Sequence, residues 1–78
     1  MPYLNIRVLD EENNPIPGEK VTIFISHMLS PQTWLKDYTD DDGRVYFDFD
    51  GGVSADVHVR GNCELKSVEL NGEVTVSV

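Results

Sequence analysis

The stretch Thr39–Phe49, "TDDDGRVYFDF", decides how the chain is read. Three aspartates run into Gly43, and apolar residues then stand at every second position: Val45, Phe47 and Phe49. Glycine accepts the positive φ of tight turns, and aspartate bonds nearby backbone amides, so Asp41-Asp42-Gly43 reads as a turn. The alternation that follows reads as a half-buried strand, with Tyr46 and Asp48 on its other face. The aspartates also raise a metal reading. Asp40, Asp42 and Asp48, with neighbouring Asp37, Asp41 and Asp50, are weak candidates for oxygen ligands of Ca²⁺. "DYTDDDGRVYFD" lacks the alternating ligands and closing glutamate of an EF-hand loop, and consecutive aspartates before glycine are ordinary turn chemistry. No metal and no cofactor is expected.

The same period of two extends outward in both directions. "LNIRV" places Leu4, Ile6 and Val8 on one face, and "KVTIFIS" does so with Val21, Ile23 and Ile25. Between them "DEENNPIPGE" is a loop. "HMLSPQ" breaks the pattern at Pro31, with room for a single helical turn in 26–33, and "TWLKDYT" resumes it. After Asp50-Gly51-Gly52, "VSADVHVR" turns Val53, Ala55, Val57 and Val59 inward and Ser54, Asp56, His58 and Arg60 outward. "ELKSVEL" and "EVTVSV" close the chain around Asn71-Gly72. A two-residue turn there would set apolar against polar residues. A three- or five-residue connection instead pairs Val68 and Leu70 with Val74 and Val76. Seven short strands separated by turn signals predict an all-β, seven-stranded antiparallel β-sandwich in one domain, residues 1–78.

The chain of 78 residues allows one modest core and no large buried cleft. One cysteine, Cys63, excludes an internal disulfide and a cysteine-based zinc site, and reads as a small, partly buried apolar residue. A net charge of −8, with 14 acids against 6 scattered bases, argues against direct nucleic-acid binding. That charge serves solubility, steers the chain toward a basic partner, or mimics a polyanion. No stretch is long and apolar enough for membrane insertion, and "MPYLNIRV" shows no signal peptide; a domain cut from a secreted or surface protein also fits.

The succession "LNIRVLDEENNPIPGEKVTIFI" then "TWLKDYTDDDGRVYF" resembles the transthyretin-like, or prealbumin-like, β-sandwiches, which include the carboxypeptidase regulatory-like and Cna-B domains. The resemblance covers about the first two-thirds of the chain and implies an immunoglobulin-like/prealbumin-like Greek key. Within it "TDDDG" is the hairpin turn between two strands. The hydrolases of that group carry a histidine on the first strand and a C-terminal Tyr-Arg-Gly-Ser; here stand Arg7 and "VTVSV". Cna-B modules carry an isopeptide bond from a first-strand lysine; here that strand has none, and the last strand has neither Asn nor Asp after Asn71. Transthyretin assembles through an edge strand, and "EVTVSV" is the segment available for such self-association here.

Three groups of residues invite a functional reading. Asp56 and His58 lie two apart on one strand face, continued by Arg60 and preceded by Ser54, and suggest proton transfer. No nucleophile or pocket accompanies them, so a solvated face with a salt bridge is the better reading and no enzyme is expected. Cys63 and His58 would form a dyad only if the Gly61 turn set them on one face. Phe24, Trp34, Tyr38 and Tyr46 all fall off the core parity and so form an exposed aromatic patch on one sheet, unless a bulge turns Trp34 inward. His27 and Met28, in the loop beside Trp34, complete the expected binding set. The expectation is a non-enzymatic accessory or adhesion module that binds protein or glycan. The alternatives are a small acidic inhibitor or virion-associated protein that binds a basic protein surface and, after it, a transthyretin-like hydrolase.

Overall fold

The computed structural model describes residues 2–78; Met1 of the expected domain lies outside them. Seven strands form: β1 (Tyr3–Leu9), β2 (Lys20–Ser26), β3 (Thr33–Tyr38), β4 (Arg44–Asp48), β5 (Ser54–Val59), β6 (Asn62–Val68) and β7 (Gly72–Ser77). They make a three-stranded sheet, β4-β1-β7, and a four-stranded sheet, β3-β2-β5-β6. No helix occurs among the described residues, so none is long and apolar enough to cross a membrane. Residues 26–33, where a helical turn had room, show only bends between the two strands.

The core lies between the sheets and follows the period-two reading closely. Leu4, Ile6 and Val8 of β1, Val45 and Phe47 of β4, and Val76 of β7 meet Val21, Ile23 and Ile25 of β2 and Ala55, Val57 and Val59 of β5. Fully burying one such aliphatic side chain contributes roughly 1.5–3 kcal/mol. Val53, expected inward, is 59% exposed, because β5 starts one residue later at Ser54.

Four of the five strand pairings are antiparallel, as expected, but β7 runs parallel to β1. That follows from a second difference. β6 and β7 do not pair across Asn71-Gly72; β6 pairs β5, and the chain crosses to the other sheet before β7 begins. Asn71 makes the crossing. It adopts φ 64°, its amide donates to the Tyr3 carbonyl at 2.8 Å, and its Oδ1 accepts from the Tyr3 amide at 3.2 Å. These two bonds fix the start of β7 beside the start of β1. The expected pairing of Val68 and Leu70 with Val74 and Val76 is therefore replaced by Ile6↔Val74 and Val8↔Val76.

The Thr39–Gly43 segment is a turn, but it joins strands of different sheets and is not a hairpin. Each residue type in it has an assignable cause. Asp40 Oδ1 accepts from the amides of Asp42 (2.9 Å) and Arg44 (3.0 Å), and the Gly43 amide donates to the Asp40 carbonyl. Gly43 sits at φ 72°, and a Cβ there would stand 2.7 Å from the Val8 carbonyl oxygen. Thr39 is buried. Its hydroxyl donates to the Ile16 carbonyl at 2.6 Å and accepts from the Glu19 amide at 2.8 Å, so it ties the 10–19 loop to the arch. The Asp10–Asn14 turn repeats the geometry: Asp10 Oδ1 accepts from the Glu12 and Asn14 amides, and Asn13 takes the positive φ of 67°.

Candidate functional site

The outer face of the four-stranded sheet is built by the even-numbered residues of β2 and β3. The unbroken β2–β3 register sets Phe24 opposite Trp34, Thr22 opposite Lys36 and Lys20 opposite Tyr38. No bulge reverses Trp34, and it stands 57% exposed with Tyr38 at 58%. Phe24 is half-buried because the His58 ring meets it edge-on, with centroids 4.7 Å apart. The loop between β2 and β3 borders this aromatic pair. His27 Nε2 and Thr33 Oγ1 lie 2.9 Å apart and close the loop's base, while Met28 and Leu29 at its tip are almost wholly exposed.

Tyr46 does not belong to this patch. It lies on the outer face of the other sheet, opposite Asn5 and stacked on Tyr3 at a centroid distance of 6.0 Å. Parity told which face of its strand it occupies, but not which sheet that strand joins. Tyr3, beside it, was missed because it falls at the edge of the first strand's pattern.

The other candidates disperse. Asp56 Oδ1 accepts from the Ser67 amide at 2.9 Å, His58 packs on Phe24, and Arg60 Nε donates to Glu19 Oε1 at 2.8 Å. The Asp56–His58 row is thus occupied by structural contacts. The Glu19 hydrogen bond, and then its charge, raise the Arg60 guanidinium above its ordinary pKa. Cys63 is exposed, not partly buried, because its stretch of β6 lies outside the core; its thiol makes a weak 3.6 Å contact to the Leu65 carbonyl. It does face His58 directly across the β5–β6 hairpin, whose two-residue turn, Arg60-Gly61, has both φ positive.

Asp40, Asp42 and Asp48 are not gathered into a ligand set. Asp40 is committed to its turn and Asp48 lies at the far end of β4, opposite Tyr3. Among the described residues no group of three or more His, Cys, Asp or Glu side chains is placed to hold a metal ion. The two aspartate turns do lie together, since the Val8 amide donates to the Gly43 carbonyl, and they make one end of the sandwich acidic. An open depression of about 350 Å³ lies at that end, lined by Asp10, Glu11, Glu12, Arg60 and Val78. Comparison with family models, with curated proteins and with solved structures finds no match.

Proposed function

We propose that the chain is a non-enzymatic accessory or adhesion module that binds a protein or a glycan through the outer face of its four-stranded sheet. Phe24, Trp34 and Tyr38 form the contact surface, with His27 and Met28 at its border. The observation that carries the reading is Trp34, more than half exposed in a regular strand and set beside Phe24. Exposed aromatic clusters of this kind mark contact surfaces, and tryptophan and tyrosine dominate binding hot spots. Kinship with the transthyretin-like sandwiches is part of the proposal; the seven strands in two sheets agree with it, although the Thr39–Gly43 turn is not the hairpin that the resemblance implied.

A second reading is favoured by the acidic end, where the Asp10 and Asp40 turns meet: an inhibitor or virion-associated protein docked on a basic surface. Ionic strength separates the two, because exposed charge pairs are screened within about 10 Å at 0.1 M salt. The test is capture of partners on the immobilised chain and on Trp34→Ala, with a glycan panel alongside, each at low and high salt. Binding that survives salt and is lost in Trp34→Ala supports the aromatic face. Binding kept by the variant but lost in salt supports the acidic end. Hydrolysis of an isourate-like substrate, abolished by His58→Ala, would overturn both in favour of a transthyretin-like hydrolase.

A further inference from the structure

The outer edge of β4 carries a pattern that stands apart from the aromatic contact face. β4 reads Arg44-Val45-Tyr46-Phe47-Asp48 and is hydrogen-bonded to another strand, β1, on one side only. Arg44, Tyr46 and Asp48 are exposed on the outer face, while Val45 and Phe47 point into the core. The charges at its two ends are opposite. Four residue steps separate them, which at ~3.4 Å per step is roughly 14 Å, too far for an ion pair within one chain.

Arg44 also has an unfavourable neighbour. Its direct cross-strand partner on β1 is Arg7, so two of the chain's six bases face each other. Like charges placed this way destabilise a sheet. Arg7 Nε is buried without a hydrogen-bond partner, and among the described residues the one ion pair is Arg60–Glu19. In a chain with 14 acids, this arginine pair has drawn none of them.

We propose that two copies of this chain pair antiparallel along β4, about a two-fold axis at Tyr46. That register sets Arg44 opposite the partner's Asp48, Val45 opposite the partner's Phe47, and Tyr46 opposite its own copy. Both Arg44–Asp48 ion pairs form at once, and each brings a carboxylate to an arginine pair. The two Tyr3–Tyr46 stacks join into one aromatic row, and the three-stranded sheets become one of six strands. Shifting the register by two residues in one direction sets Asp42 against the partner's Asp48. The opposite shift sets Tyr46 against the partner's Asp48, and Arg44 against the partner's Asp50, which lies beyond the end of β4 and past the core residue Phe49, so that no ion pair forms within the paired strands.

The space beside this edge is open. β3 flanks the four-stranded sheet on the same side, and every residue of it is exposed on both faces. Leu35, opposite Ile23 and so on the inward face, is still 37% exposed. A partner's β4 would lie beneath β3 and cover it. The other edges lack this charge pattern. β7 carries only Glu73, β3 sets Lys36 and Asp37 on opposite faces, and β6 is broken by two register shifts.

The test is sedimentation equilibrium of the full chain over a concentration series, for wild type, Arg44→Asp, Asp48→Arg and the double exchange. Wild type is expected to dimerise. Each single variant should raise the dissociation constant about tenfold or more, through two like-charge contacts. The double exchange should restore it, because the ion pairs re-form with reversed polarity. Its recovery also distinguishes lost pairing from lost folding. A wild-type monomer up to roughly 1 mM, where binding is worth about 4 kcal/mol, overturns the proposal. So does a dimer indifferent to both single variants, which would use another edge, or a double exchange that stays monomeric.

Discussion

Thr39 and Gly43 show what single residues do in this fold. Thr39→Val keeps shape but leaves the Ile16 carbonyl and the Glu19 amide without their partner. An unsatisfied buried polar group costs about 1–3 kcal/mol. At roughly 4–8 °C per kcal/mol for a domain this size, the melting temperature should fall by about 10 °C in a thermal melt followed by circular dichroism. Gly43→Ala should cost at least as much, because the new Cβ meets the Val8 carbonyl and φ stays positive. Asp42→Ala, whose side chain makes no such contact, should melt within a few degrees of wild type and serves as the control. The turn itself was legible in the sequence, since Asp-x-x-Gly states both the capping oxygen and the positive φ. The part played by Thr39 was not, because its partners Ile16 and Glu19 lie about twenty residues away.

At the scale of the element, hydrogen exchange should rank the strands. β1, β2 and β5 are bonded on both sides and carry most of the buried side chains, so their amides should exchange slowest. β3, paired to β2 alone and exposed along its length, should exchange fastest of the seven. Equal protection of β3 and β2 by mass spectrometry in dilute solution would contradict this arrangement. Strand positions and their core faces were readable because β1, β2, β4 and β5 alternate without interruption. β6 was harder to read. Of its two register shifts, the one beside Ser67 at φ 53° brings Leu65 and Val68 to the same side although their parities differ. Which strand joins which sheet was hidden for a related reason. A tight turn has the same local chemistry whether it closes a hairpin or arches between sheets, and only the Asn71–Tyr3 clamp separates the two for β7.

For the whole molecule, the two proposals assign the two sheets different tasks. The four-stranded sheet offers Phe24, Trp34 and Tyr38 as the proposed contact face, and the three-stranded sheet offers the β4 edge for self-pairing. The sequence carried every one of these aromatics, but it joined Tyr46 to the wrong face because sheet membership is a long-range property. Stability rests on the shared core. Ile23→Ala should cost about 2–5 kcal/mol, a large part of what a domain this small has to lose, as read by urea unfolding. Trp34→Ala removes an exposed ring and should leave the unfolding midpoint nearly unchanged while abolishing binding. Trp34 is the only tryptophan, so its fluorescence reports this face alone. The most direct test is to titrate a captured partner or glycan into the chain at high salt, while following Trp34 emission and its quenching by acrylamide. The proposed contact predicts a blue shift and loss of quenching as the site fills. Binding that leaves both unchanged would place the contact elsewhere and contradict the proposed function.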